Sequence, residues 1–366
     1  MSPQINQVKI HNFRNIIFAN VNFSSSFNLI IGNNAEGKTN FLESISLICS
    51  LKPMNSLNNN DLIKHGEQKS NLIANFVNSP CSEVAIEILP LGKRVFLNQK
   101  AIKNSNLLSK NFSIVSFVPQ ELNMISGSAS LRRKVLDQAC ISLFSTHQLS
   151  IKNYEKILSQ RNMVLKTFPL NLALLETFSS MLIKEAVIII YNRLRAIEIL
   201  MPFFKQKMNE IFSINNYFIN YLIGEQSYIK ISQEEILELL NKTKILKHKQ
   251  EIIRRTTLFG PHLDDIEFMI NNLSAQKSCS RGQARSLVLS FKLAQMIAIK
   301  NIKQCSPIII LDDIISELDN EKKSNLINVI YELESQAFFS ATDQQAFINK
   351  EHAIQIFKVK SGEIFI

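Results

Sequence analysis

The stretch Phe27-Asn28-Leu29-Ile30-Ile31-Gly32-Asn33-Asn34-Ala35-Glu36-Gly37-Lys38-Thr39 decides how this chain is read. An apolar run stops at Gly32, and the residues from Gly32 to Thr39 fit G-x-x-x-x-G-K-[ST], the pattern of a phosphate-binding loop. Directly beyond it Phe41, Ile45 and Ile48 recur at helical spacing. Strand, glycine turn and helix are the context the motif demands. The turn aims backbone N–H groups inward, and the helix N-terminus adds a dipole that favours an anion. Gly32, Asn33, Asn34, Ala35, Glu36, Gly37, Lys38 and Thr39 are therefore the expected nucleotide-binding set, with Lys38 on the β/γ-phosphate oxygens and Thr39 on Mg2+.

A phosphate loop needs carboxylates, and Ile308-Ile309-Ile310-Leu311-Asp312-Asp313 supplies two at the end of an apolar run. Such a run reads as a strand buried on both faces, whose carboxyl end meets the ligand. Asp312 is expected to hold Mg2+ through water, and Asp313 to act as the general base that orients the attacking water. Simple capping of the following helix is the alternative for both acids. Asp319, in Ser316-Glu317-Leu318-Asp319, reads either as part of the nucleotide site or as a solvated helix start. Upstream, Ser280-Arg281-Gly282-Gln283 precedes a helix with Leu287, Phe291 and Ala294 on one face. Its serine hydroxyl and glycine N–H make a second anion site, with a plain N-cap as the alternative.

Around these motifs the chain alternates in character. Short strand patterns occupy Gln7–Ile10, Asn20–Phe23, Val84–Leu89 and Arg94–Leu97, and another lies at Ala337–Ser340. From about Ser130 to Lys249 the text turns to long helical periodicities. The expected organisation is one discontinuous α/β domain, residues 1–130 and 250–366, interrupted by a helical lobe at 131–249. No apolar run reaches the roughly 18 residues of a membrane span, and the first residues lack a secretory pattern, so a soluble cytoplasmic chain with no membrane partner is expected. The five cysteines are widely spaced with no CxxC pair, which disfavours a disulfide framework and a zinc site. The net charge of +10 suits a polyanionic partner. Between Ile151 and Arg255 there are 16 Lys and Arg against 10 Glu, so more than half of the imbalance lies in that segment. Arg132-Arg133-Lys134 and Lys242, Lys244, Lys247 and Lys249 around His248 are the candidate DNA contacts, although charge runs are usually solvated faces.

Phosphate loop, S-x-G-Q and strand-Asp-Asp, in that order, resemble the signature set of ABC ATPases. Within that superfamily the chain looks most like the SMC-related RecF family. Lys9-Ile10-His11-Asn12-Phe13-Arg14-Asn15, Gly127-Ser128 with Leu131-Arg132-Arg133 and Leu136-Asp137, Gln160-Arg161-Asn162 and Gly260-Pro261-His262-Leu263-Asp264-Asp265 carry the likeness along nearly the whole length. The resemblance implies an ABC-type P-loop ATPase domain with an inserted helical lobe. It also implies an ATP-dependent homodimer in which Ser280, Gly282 and Gln283 of one copy seal the phosphates held by the other, with Asp319 near the nucleotide.

Gln120, in the pair Gln120-Glu121, resembles the Q-loop residue that senses Mg2+, and Thr342 takes the place of the switch histidine. Function, by the same resemblance, is ATP-gated, sequence-independent binding of duplex and gapped DNA in recombinational repair. Slow, DNA-stimulated hydrolysis accompanies it, with RecR and RecO as partners and RecA indirectly. A DNA-binding switch of negligible turnover, an SMC relative and a transporter-type subunit are the other classes. Three departures stand out: Leu263 where the family has arginine, Lys52-Pro53-Met54-Asn55-Ser56 in place of an S-F-R-T-like loop, and Ala129 for a proline.

Overall fold

The computed structural model describes residues 2–24, 26–51, 53–54, 58–102, 108, 111–211, 216–342 and 353–365. The chain forms two compact units. The first comprises Met1–Glu121 and Gln295–Ile366, the second Leu122–Ala294. These divisions lie at 121/122 and 294/295, where the sequence pattern puts them at 130/131 and 249/250. The second difference has a physical cause, since a strand after residue 250 hydrogen-bonds into the sheet of the second unit and carries its segment with it.

The first unit holds two six-stranded sheets. One is antiparallel: β1 (Gln4–Phe13), β2 (Ile16–Asn22), β4 (Ser70–Val77), β5 (Glu83–Leu89), β6 (Gly92–Leu97) and β7 (Lys100–Ile102), in the order β2-β1-β4-β5-β6-β7. Strict alternation of buried and part-exposed residues along β4 and β5 shows a sheet with one face in the core. The other sheet contains β3 (Phe27–Ile31), β8 (Ile114–Phe117), β13 (Ile308–Leu311), β14 (Ala337–Ala341), β15 (Ile354–Lys360) and β16 (Glu363–Phe365), ordered β16-β15-β3-β14-β13-β8. Its five strands from β15 to β8 run parallel. All of β13 and β14 is buried, which is why β13 reads as an unbroken apolar run and β14 as one broken only by Ser340. Helix α1 (Lys38–Ser50) packs on strands of both sheets, with Phe41, Ile45 and Ile48 wholly buried as their spacing predicts.

In the second unit lie α2 (Ala129–Leu143), α3 (His147–Lys166), α4 (Leu172–Ile211) and α5 (Gln233–Arg254). A four-stranded sheet joins them, ordered β10-β9-β11-β12, from β9 (Tyr217–Ile223), β10 (Gln226–Tyr228), β11 (Asp265–Ile270) and β12 (Leu273–Ser274). The expected helical lobe is therefore mixed. Period-2 patterning in Tyr217-Phe218-Ile219-Asn220-Tyr221 was the available signal, and it is short and flanked by much longer helical text. After β12 come α6 (Ala275–Ser278) and α7 (Arg281–Lys303), and the division between units falls inside α7. Helix α8 (Asn320–Glu332) belongs to the first unit. Among the described residues no helix is long and apolar enough to cross a membrane. The five cysteines are free.

One buried ion pair ties the helices of the second unit together. Arg161 of α3 and Glu251 of α5 are 1% and 0% exposed and bond bidentately at 3.0 and 2.7 Å. Ser179 accepts from Nε and Thr257 from Nη1, and Phe259 lies under the guanidinium at 4.9 Å. Removing one partner of such a pair leaves the other charged and dry, at a cost of about 3–5 kcal/mol. Arg161→Ala is therefore expected to lower the unfolding free energy read from urea denaturation by about 3–5 kcal/mol, far more than Lys242→Ala on the exposed face of α5.

Candidate nucleotide-binding and hydrolysis site

The parallel register places the ends of β3, β14 and β13 side by side, with β14 between the other two. The sequence motifs on β3 and β13 thus meet across a third strand. Gly37 caps α1 at φ 119°, a conformation that disfavours any side chain, and a Cβ there would lie 2.8 Å from the Asn15 amide. Asn15 donates to Glu36 O at 3.0 Å and accepts from Asn40 Nδ2 at 2.8 Å, so the turn after β1 braces the loop from outside. The N–H of Gly362 also donates to Glu36 O, at 2.9 Å. A Cβ on Gly32 would meet Val359 O at 2.4 Å, which fixes glycine there too. Inside the loop, Glu36 accepts from the Asn33 backbone at 3.1 Å and its amide at 3.0 Å. Ala35 holds φ 68°, while Asn34 and Ala35 stay exposed.

Lys38 is 4% exposed and donates to Gly32 O at 2.8 Å and Asn33 O at 3.0 Å. The ammonium is thereby held in the mouth of the loop, the place where a phosphate oxygen would compete for it. Thr39 Oγ1 donates to the Asp312 carboxylate, 3.0 and 2.9 Å from its two oxygens. Asp312 is 3% exposed, and burial raises its carboxyl pKa, opposed by the hydroxyls of Ser340 and Thr39. A buried carboxylate touching a phosphate-loop hydroxyl, with a second acid next to it, is a hard-oxygen donor set that fits Mg2+.

Ser340, at the end of β14, completes the arrangement and was not among the residues expected. Its hydroxyl donates to Asp312 Oδ1 at 2.7 Å and accepts from the Asp313 N–H at 2.7 Å. Asp313 sits at φ 50°, the left-handed region an aspartate tolerates better than most residues. That turn leaves its carboxylate partly exposed, 3.3 Å from the Ser340 hydroxyl. A polar residue ending an otherwise apolar strand was the only available sign of Ser340.

The remaining expected residues fall into place unevenly. Gln120 is exposed, just past β8, whose Phe117 carbonyl accepts from the Asp312 N–H at 3.1 Å. Glu121 is buried and accepts from Val118 N at 3.3 Å, so Gln120 is the member of the pair turned to solvent. The Asp319 carboxylate caps α8 by accepting from Lys322 N at 3.0 Å and pairs with the Lys322 ammonium. Thr342 is exposed directly after β14, while Asp343 and, in the departing loop, Lys52, Asn55 and Ser56 lie outside the described residues. In the second unit, Ser280 and Gly282 are exposed at the start of α7. Ser280 N donates to Gln283 Oε1 at 2.9 Å and Gln283 N to Ser280 Oγ at 3.3 Å, a reciprocal cap.

The cluster Arg132-Arg133-Lys134 is not a solvated DNA face. Arg132 is 5% exposed and pairs bidentately with Asp265 at 2.7 and 2.8 Å, and Arg133 donates to the Asp264 carbonyl at 2.5 Å. Only Lys134 is exposed. These arginines belong to a buried network in which Arg193 binds both oxygens of Asp137, the Tyr221 hydroxyl and the Pro261 carbonyl. Tyr221 donates to Asp264 at 2.6 Å, and Tyr154 bonds His262 Nδ1 at 2.6 Å. Asp137, Cys140 and His147 bring donor atoms within 4.8 Å of one another, yet both Asp137 oxygens already accept from Arg193. In the second cluster Lys244 is half-buried against Glu176, while Lys242, Lys247, His248 and Lys249 are exposed.

A phosphate loop, a strand-end pair of acids on a parallel sheet and an exposed S-x-G-Q helix start define an ABC-type ATPase head. No family model matches the chain. A curated relative, the DNA replication and repair protein RecF of Streptococcus gordonii, is 32% identical over 365 residues, covering 98% of this chain and 99% of its own. RecF of Geotalea daltonii is 30% identical over 367 residues, 99% of each chain. A solved structure of the recombination mediator protein RecF with ATPrS in the RecFOR pathway superposes with a TM-score of 0.88 at 27% identity, covering 99% of this chain and 98% of that one. The Smc head domain of Pyrococcus furiosus shares the fold, with a TM-score of 0.54 at 17% identity over 99% of this chain and 95% of that one. The chain belongs to the RecF family of DNA replication and repair proteins.

Ser340→Ala would strand the Asp313 N–H and remove a donor from Asp312, a loss of about 1–3 kcal/mol for groups this buried. ATP retention on a filter should survive that change while phosphate release falls at least about tenfold, the equivalent of about 1.4 kcal/mol of barrier. The second unit yields a pH test. Burial raises the Asp264 carboxyl to about 6, against the lowering effects of Tyr221, Arg193 and Arg133. Burial also lowers His262 to about 4, with the nearby arginines adding to it. The folded chain holds the Asp264 proton more tightly than the unfolded chain does, so this group adds stability as pH falls from about 6 toward the free value of about 3.9. His262 has the opposite sign and loses stability from about 6.5 down to 4. Relative to wild type, Asp264→Asn should lose stability on acidification through this window and His262→Gln should gain it, as read by urea midpoints.

Proposed function

We propose that this protein is an ATP-gated DNA-binding ATPase of recombinational gap repair that closes as a homodimer on the nucleotide. The observation that carries this is the cluster Lys38, Thr39, Asp312, Ser340 and Asp313. It joins a phosphate loop to a buried, hydroxyl-bonded carboxylate and a second, solvent-facing one. Lys38 exchanges its two carbonyl partners for phosphate oxygens, and the backbone N–H groups of residues 33–39 surround the β-phosphate. Thr39 and Asp312 would hold Mg2+, which supplies charge neutralisation between the phosphates. Asp313 orients the attacking water and accepts its proton, and Gln120, just past the end of β8, senses Mg2+. The Asp313 carboxylate is one methylene shorter than a glutamate's, and its backbone N–H is pinned by the Ser340 hydroxyl, which suits slow turnover.

Sealing of the site from a second copy explains Gly282. Among the described residues beyond its own helix backbone and chain neighbours, the Ser280 hydroxyl at 4.0 Å is the one atom within 4 Å of where its Cβ would be, so packing there does not demand glycine. A close-approaching triphosphate does. Asp319 lies on the same closing surface in this reading. DNA contact is through backbone phosphates without sequence readout, in keeping with the charge of +10, and therefore weakens steeply with salt. The closed state on gapped duplex recruits the mediators RecR and RecO, which assist RecA loading. Measured by light scattering with ATP and Mg2+, wild type should double in mass. Lys38→Ala should stay monomeric for lack of nucleotide, and Gly282→Arg should stay monomeric while retaining ATP. A Lys38→Ala chain that still dimerises on ATP and holds DNA would overturn the reading.

A further inference from the structure

The C-terminal half of α5 carries a face that neither nucleotide binding nor the buried core uses. Ile245, Leu246, Ile252 and Ile253 are 71%, 77%, 37% and 79% exposed. With Lys242 and Lys249 they recur at three- and four-residue steps and so form one stripe along the helix. Between Lys242 and Arg255 there are six Lys and Arg and one carboxylate, Glu251, which is buried against Arg161. Beside the stripe a cavity of 270 Å³ is lined by Leu172, Leu175, Ile245, His248, Arg161 and the Lys244–Glu176 ion pair, whose carboxylate is neutralised by that lysine. Leu172 is itself 59% exposed and extends the apolar surface toward Leu174, at 41%.

From this we infer that the α5 face docks an acidic, amphipathic segment of a protein partner, whose apolar side chains cover the stripe and enter the cavity while its carboxylates meet the flanking lysines and arginines. Charge complementarity selects this occupant. Duplex DNA would match the cations but leaves the four aliphatic side chains without a partner, because phosphate contacts come from polar and cationic groups. Pairing with a second copy in the register that matches Ile245 with Ile253 and Leu246 with Ile252 would set Lys249 against Lys249. Ile245 with Leu246 and Ile252 with Ile253 form two exposed aliphatic pairs with Lys249 between them, an apolar surface set among cations of the kind that marks a protein-binding site. The inference stands apart from the nucleotide site and does not rest on the ATP-gated reading.

Fluorescence anisotropy of the full-length chain tests it. The probe is a labelled helical peptide with leucines at heptad a and d positions flanked by glutamates, against a scrambled peptide of equal charge and a labelled duplex. The peptide should bind at least tenfold more tightly than its scramble. Ile245→Ser/Leu246→Ser/Ile253→Ser, which keeps every charge, should abolish that preference and leave duplex affinity unchanged. Lys242→Gln/Lys247→Gln/Lys249→Gln should weaken the peptide with a marked salt dependence. ATP retention by both variants reports that they are folded. Equal binding of peptide and scramble overturns the proposal. So does a loss of duplex affinity in the serine variant, or an ATP-independent wild-type dimer that this variant abolishes.

Discussion

Asp312 is a carboxylate drawn almost wholly out of water at the end of an apolar strand, and the nucleotide site depends on keeping it there. Burial disfavours its charged form, so the carboxylate is tolerated only because hydroxyls from two other elements bond it. Thr39 comes from the phosphate-loop helix and Ser340 from the intervening strand. Two strand ends and the helix that follows a third strand thus each contribute one polar group to a single hydrogen-bonded point. The tension between burial and charge that makes Asp312 costly without partners also makes it a strong oxygen donor for a cation.

The loop around Lys38 is held by neighbours distant in the chain. Asn15, from the turn that follows β1, and Gly362, near the C-terminal end, both bond the carbonyl of Glu36. Val359 leaves no room for a side chain at Gly32. The turn is thus braced before any phosphate arrives, which removes much of the ordering cost that a flexible glycine loop would otherwise bring to binding.

Outside the nucleotide site, the stretches by which the chain resembles the RecF family prove to be architectural. Arg132 and Arg133 bind Asp265 and the Asp264 carbonyl, Arg161 neutralises Glu251, and His262 is bonded by Tyr154. These residues are polar and motif-forming because they are buried and must be satisfied together, each leaving a costly orphan if lost. Leu263, the departure inside that run, points to solvent at 51% exposure, so the network closes without the family's arginine.

Periodicity and local motif were enough to place β3, the loop and α1, because a buried strand, a glycine turn and an amphipathic helix are each written in adjacent residues. The same holds for β13 with its two acids and for the start of α7. Ser340, Asn15 and Gly362 were not legible as site residues, since each acts through a partner at least 21 residues away. The strand pairing of β9 with β11 was hidden for the same reason, and so residues 131–249 read as a helical lobe. Sequence by itself determined which chemistry the chain carries. Tertiary structure alone decided which charges are spent inside the fold and which remain on the surface, because burial and long-range hydrogen bonding are properties of the packed chain and leave no mark on a run of basic residues.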